Sequence, residues 1–107
     1  MEGRILVDYL SREQIMNELQ QSFQPYLNKY GIEDIGIFEE EGQDDRYYLG
    51  YTTRKEGKTH HIHLPFQKNN DGGLAPIDSK WTVESDNPLE KDLKEFEDLD
   101  HVFREIY

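Results

Sequence analysis

The chain has 107 residues, no cysteine and a net charge of −11 at pH 7. This length suits a single domain with its own core, and the lack of cysteine excludes disulfides and thiolate metal sites. The acidic balance disfavours direct binding to nucleic acid or anionic membranes. No apolar run approaches the roughly 20 residues that a membrane span needs. We therefore expect one soluble, cytoplasmic α+β domain over residues 1–107, whose partner would be another protein of basic character.

The N-terminal part of the chain predicts an arm followed by a helix. Within residues 1–10, alternation of apolar residues favours a short edge strand or an extended arm. Ser11 and Gln14 fit a capping box, so a helix is expected over Ser11–Tyr30. Pro25 should kink or restart it, and Gly31 should end it.

The middle of the chain predicts strands. Alternation and β-branched or aromatic residues indicate strands at Ile32–Glu41, Arg46–Arg54, Thr59–Phe66 and Lys80–Glu84. The second and third should form a hairpin, because Glu56-Gly57 between them suits a tight turn with positive φ. Residues 69–73 have the composition of a loop.

The C-terminal part predicts a second helix over Pro88–Ile106, capped by Asn87. The predicted fold class is thus α+β, with an antiparallel four-stranded meander and the N- and C-terminal helices packed on one face. The side chains expected to be largely buried are Leu19, Phe23, Ile35, Ile37, Leu49, Tyr51, Ile62, Trp81, Leu93, Phe96 and Phe103.

The central hairpin holds the most unusual chemistry of the chain. Residues 46–68 carry five bases and one acid, whereas residues 33–45 carry seven acids and no base. The candidate binding residues are Arg46, Tyr48, Arg54, His61 and His63. Tyr47, Leu49 and Tyr51 should fill the core side of their strand, which leaves Tyr48 half exposed.

His61 and His63 leave the same face of a strand, which is the geometry of a two-histidine metal pair. Carboxylates from the segment Glu39–Asp45 could complete such a site. The structural alternative places both histidines on the solvated face, with His60 partly buried on the other side. No catalytic motif, phosphate loop or calcium loop is present, so no catalytic residue and no cofactor are predicted.

The segments Ser11-Arg12-Glu13-Gln14-Ile15-Met16 and Tyr47-Tyr48-Leu49-Gly50-Tyr51 resemble small uncharacterised cytosolic proteins of Bacillus-type bacteria. That resemblance implies a bacterial cytosol and no mechanism. Composition and motifs together favour a non-enzymatic interaction or adaptor module, either monomeric or homodimeric. Two alternatives remain open: a small metal-dependent or acid–base enzyme using His61 and His63, and an acidic mimic of nucleic acid.

Overall fold

The computed structural model describes residues 9–87, 89 and 91–107. The fold is α+β, with one antiparallel sheet and helices toward both ends of the chain. The helices are α1 (Arg12–Ser22), α2 (Gln24–Tyr30) and α3 (Leu99–Ile106). The strands are β1 (Asp34–Glu41), β2 (Arg46–Lys55), β3 (Lys58–Lys68), β4 (Leu74–Pro76), β5 (Trp81–Ser85) and β6 (Leu93–Phe96). The predicted class is therefore confirmed, but the sheet has six strands within the described residues, not four.

The sheet is centred on the long strand β3. Its order is β1-β2-β3-β5-β6, and β4 also pairs with β3. One edge of β3 is shared, because β5 pairs with residues 60–63 and β4 with residues 66–68. In the predicted meander, only the next strand in sequence would pair with this edge of β3. The structure differs, because both β4 and β5 pair with it.

The first helical segment follows its predicted chemistry. The Ser11 hydroxyl accepts from the Gln14 amide (3.1 Å), and the Gln14 side chain accepts from the Ser11 amide (2.8 Å). The helix is interrupted at Phe23 and restarts as α2 with Pro25 in its first turn. Gly31 ends α2 at a φ of 63°, the left-handed conformation that glycine adopts without steric cost.

Residues 1–8 of the predicted N-terminal arm lie outside the described residues. The C-terminal end of the arm pairs with the sheet, because Leu10 and Leu74 exchange two backbone hydrogen bonds of 2.8 Å. No helix in the part of the chain that the structure describes is long and apolar enough to cross a membrane.

The predicted central hairpin forms, with Glu56 and Gly57 in its turn. Lys55 pairs with Lys58, so Glu56 and Gly57 make a two-residue turn with φ values of 53° and 78°. Positive φ at both positions is the mark of a type I′ turn, which matches the twist of the flanking strands. At Gly50, a Cβ atom would lie 1.8 Å from the Ile62 carbonyl oxygen. Only glycine fits this close approach of β2 to β3.

The predicted helix over Pro88–Ile106 is wrong for its first half. Leu93–Phe96 is β6, which pairs with β5, and Pro88 lies outside the described residues. Val83 and Trp81 are two residues apart, yet their partners Leu93 and Phe96 are three apart, because the ladder is irregular between them. The extra residue of such a bulge puts the apolar residues Leu93 and Phe96 three positions apart, which is also the spacing of a helix face. The helix prediction was wrong for this reason. Asp98, not Asn87, caps α3 by accepting from the His101 amide (2.7 Å).

The helices pack on one face of the sheet, as predicted. Tyr51 and Thr53 leave the same face of β2. The Tyr51 hydroxyl donates to the Leu19 carbonyl of α1 (2.8 Å), and the Thr53 hydroxyl contacts the Tyr107 hydroxyl beyond α3 (2.6 Å). Both helical ends of the chain thus lie over this surface, which we call the helix face.

The core lies between the helices and the sheet. Its buried side chains include Ile15, Leu49, Tyr51, Ile62, Trp81, Val83, Phe96, Leu99, Val102 and Phe103. Burial is thereby confirmed for six of the predicted core residues: Leu49, Tyr51, Ile62, Trp81, Phe96 and Phe103. Four more are only partly buried: Leu19, Phe23, Ile35 and Ile37. The prediction for Leu93 is wrong, because it is 42% exposed on the short strand β6.

Candidate functional site

The sheet face opposite the helices is the candidate site, and we call it the open face. Side chains reach it from alternate positions of neighbouring strands. The strand registers bring together Asp34, Phe38, Glu40, Arg46, Tyr48, Thr52, Arg54, His61, His63, Thr82 and Glu84. All of these except His63 keep some exposure, and all three described helices lie on the other side.

Aromatic rings pack against each other at the centre of the open face. Phe38 lies opposite Gly50, which in turn lies opposite His63. Because Gly50 has no side chain, the Phe38 ring reaches across it to both histidines, with centroid distances of 5.1 Å to His61 and 5.2 Å to His63. Tyr48 meets His63 edge-on at 5.3 Å. Phe38, Tyr48, His61 and His63 form what we call the ring cluster.

The two histidines of the cluster differ in their hydrogen bonding. The Nε2 atom of His61 donates to Asp86 Oδ1 (2.9 Å), and its Nδ1 atom accepts from the Thr52 hydroxyl (2.9 Å). The Nε2 atom of His63 donates to Glu84 Oε1 (2.6 Å). Its Nδ1 atom is buried and has no hydrogen-bond partner among the described residues. An ionised carboxylate only accepts, so Nε2 carries the proton in both rings, and in a neutral imidazole this leaves Nδ1 as the acceptor.

The structure places all five predicted binding residues on the open face, but not in one cluster. Tyr48, His61 and His63 belong to the ring cluster, and Tyr48 is partly exposed as predicted. Arg46 and Arg54 stand near opposite ends of β2, both exposed, and Arg54 contacts Asp34 at 3.4 Å. The expectation that His63 is solvated is wrong, since it is only 7% exposed beneath the neighbouring rings.

The carboxylates around the histidines come from an unexpected strand. The predicted source, Glu39–Asp45, begins in β1, and its described hydrogen bonds with β3 are made at Lys68, at the end of that strand away from His61 and His63. Glu84 and Asp86, in and just after β5, bind the histidines instead. Among the residues that the structure describes, no group of three or more histidine or acidic side chains is arranged to hold a metal ion. The geometry therefore gives each histidine its own carboxylate instead of a shared ligand set.

A sequence model of a family of unknown function, DUF5634, matches residues 9–106. The chain belongs to DUF5634. The resemblance to an uncharacterised family is thus confirmed, and it assigns no activity. A search of curated proteins found no match to the chain.

Sequence reasoning missed three contributors to the open face of this DUF5634 member: Phe38, Glu84 and Asp86. Alternation within β1 already put Phe38 on the face opposite Ile35 and Ile37. The sequence did not predict the register of β1 against β2, which places Phe38 opposite Gly50. Glu84 and Asp86 required the pairing of β3 with β5, which are not consecutive strands.

The consecutive acidic residues Glu39, Glu40 and Glu41 of this DUF5634 member, which we call the acidic run, do not form one surface. Glu39 faces the helices, where Arg12 and Tyr47 both donate to its carboxylate. The Arg12 hydrogen bond is the main reason that the pKa of Glu39 falls to about 2. Glu40 points to the open face, and Glu41 binds Lys68. The run is therefore divided between structural ion pairs and the rim of the candidate site.

Proposed function

We propose that this protein is a non-enzymatic interaction module, and that its open face binds a basic segment of a partner protein in the bacterial cytosol. The observation on which the proposal rests is the ring cluster on a sheet face that the described helices leave uncovered. The partner we favour presents arginine side chains. Guanidinium groups stack on aromatic rings and pair with carboxylates, so one residue type satisfies both features of the surface.

The ring cluster has the composition of an interface. Aromatic side chains are enriched where proteins meet, because they offer large contact area with few rotatable bonds. Phe38 and Tyr48 are both partly exposed, although the helix face offers a core in which aromatic rings are buried. Two exposed rings that both contact His63 support a docking surface more strongly than scattered ones.

The rim of the cluster is acidic, and this favours a basic partner. Glu40, Glu84 and Asp86 surround the rings, whereas the two arginines of the face lie near its ends. The overall charge of −11 attracts basic proteins at long range and repels a second copy of the chain. We therefore favour a different protein over self-association through this face.

His63 supports a role beyond stability. A buried polar atom without a partner costs about 1–3 kcal/mol, and Nδ1 of His63 is such an atom within the described residues. A phenylalanine would keep the ring packing without that cost. A costly group at the centre of a surface is typical of a site that serves binding rather than stability.

The acid–base alternative has one observation in its favour, the pairing of each histidine with a carboxylate. General base catalysis needs a ring nitrogen within reach of the substrate. Both nitrogens of His61 are hydrogen-bonded to side chains, and the Nδ1 atom of His63 is buried. The arrangement thus fits binding better than proton transfer.

The proposal is tested by titrating the ¹⁵N-labelled protein with a short peptide of alternating arginine and glycine. We expect saturable shifts of the amides of Phe38, Tyr48 and His63, weakened at high salt. A peptide with glutamate in place of arginine is the probe control.

Two variants that each remove one negative charge separate local from global electrostatics. Glu40→Gln changes the rim of the open face, and Glu18→Gln changes an exposed position on α1. We expect Glu40→Gln to weaken binding by about two- to fivefold, the effect of one exposed charge pair, and Glu18→Gln to leave it unchanged. Equal effects, or shifts confined to the helix face, would contradict the proposal.

A further inference from the structure

A cavity lies on the helix face, apart from the open face. It is a cavity of about 170 Å³ where β3, β5, β6 and α3 meet. Its floor is apolar, with Val83, Leu93 and Ile106. Its polar lining consists of Lys58, His60, Ser85, Lys91 and Glu105.

The volume limits the ligand to a small one. Pockets for drug-sized molecules occupy about 300–1,000 Å³, well above this cavity. A water molecule occupies about 30 Å³ in the liquid, so the cavity has room for a group equivalent to several waters. A small oxyanion such as phosphate, or a short carboxylate, falls within this range.

The two lysines of the cavity have no carboxylate partner in the part of the chain that the structure describes, and both line the same site. Among the described residues, Arg46, Lys55, Lys80 and Arg104 also form no ion pair, but none of them lines this cavity. Arg12, Lys29, Arg54 and Lys68 each form an ion pair. Within the described part of the chain, neither Lys58 nor Lys91 does. Two lysines without carboxylate partners on one cavity give it a local positive charge that attracts an anion.

The remaining polar groups set the sign and size of the local charge. Among the residues that the structure describes, Glu105 is the single carboxylate of the lining, against two lysines. The Ser85 hydroxyl oxygen accepts a hydrogen bond from the Asn87 amide (3.0 Å). The hydroxyl proton is not used in that bond, so Ser85 can donate it to a ligand. We propose that this cavity binds a small oxyanion between the ammonium groups of Lys58 and Lys91.

The test is isothermal titration calorimetry with sodium phosphate and with sodium acetate at constant ionic strength. The two salts distinguish phosphate from carboxylate chemistry, and saturable binding of either supports the site. The double variant Lys58→Gln/Lys91→Gln should raise the dissociation constant at least about tenfold, equivalent to about 1.4 kcal/mol. Its matched control is Arg46→Gln/Lys80→Gln, which removes two exposed cations outside the cavity.

A third variant gives a change of opposite sign. Glu105→Gln removes the one acid known from the described part of the lining and should tighten binding by about two- to fivefold, as expected for an exposed charge. Because it gains affinity, its result cannot be attributed to unfolding. The proposal is overturned if neither salt gives saturable heat, if the two double variants lose affinity equally, or if Glu105→Gln weakens binding.

Discussion

Two substitutions of His63 measure how the ring cluster is held together. In the structure its imidazole contacts the rings of Phe38 and Tyr48 and donates to Glu84. His63→Ala removes the ring, whereas His63→Phe keeps an aromatic ring of similar shape. Both variants lose the Glu84 hydrogen bond, and both eliminate the buried Nδ1 atom. These polar contributions cancel when the variants are compared with each other.

The difference in stability between the variants therefore reports ring packing. Each aromatic contact contributes about 0.5–1.5 kcal/mol beyond area burial, so two contacts amount to about 1–3 kcal/mol. His63→Phe should exceed His63→Ala in unfolding free energy by at least this amount. For a chain of about this length the corresponding melting temperatures should differ by at least about 4 °C. Relative to wild type, His63→Phe should be no less stable, because removal of an unpaired buried acceptor offsets the lost hydrogen bond.

Urea unfolding followed by the fluorescence of Trp81 is the appropriate assay. Trp81 is the single tryptophan, it is buried, and it lies on β5 next to the strand that holds His63. A His63→Phe variant that is no more stable than His63→Ala would refute the ring packing. A His63→Phe variant well below wild type would show that the lost hydrogen bond to Glu84 outweighs the cost of the unpaired Nδ1 atom.

The other predictions address the core, the sheet and pH. Phe103→Ala should cost about 3–5 kcal/mol, since this ring is fully buried; an unchanged melting temperature would show that α3 is not docked. Gly50→Ala should cost at least about 1–3 kcal/mol, because its Cβ would lie 1.8 Å from the Ile62 carbonyl oxygen; wild-type stability in urea would contradict this close approach. The pKa of Glu39, lowered from 4.5 to about 2 mainly by Arg12, adds stability that is complete above about pH 4.5 and is lost toward pH 2. Melting temperatures between pH 2 and 5 should therefore fall less steeply for Glu39→Gln than for wild type.

The parts of the fold that sequence predicted are governed by local chemistry. The capping box at Ser11 and Gln14 and the turn at Glu56-Gly57 each act over a few residues, so the pattern alone was sufficient. The alternation along β2 and β3 likewise placed Tyr48, His61 and His63 on one face. None of these features depends on which distant strand lies alongside.

The errors come from non-local pairing. Leu93 and Phe96 have helical spacing, yet a bulge against β5 places them in a strand. The shared edge of β3 brings Glu84 and Asp86 to the histidines, and no short-range pattern specifies that edge. His63 is buried because Phe38 crosses Gly50, a contact that depends on the register of β1 as well as β3.

The most direct test of the proposed function is site-specific photo-crosslinking in cells that express the protein natively. A photoreactive amino acid at Arg46 reports on the open face without removing an acid, and one at Gln21 on α1 reports on the helix side; both positions are exposed. The account predicts that the Arg46 position captures a basic protein and that the Gln21 position does not. Capture only from Gln21, or capture from Arg46 that persists when Tyr48 and Glu40 are replaced by alanine and glutamine, would contradict it.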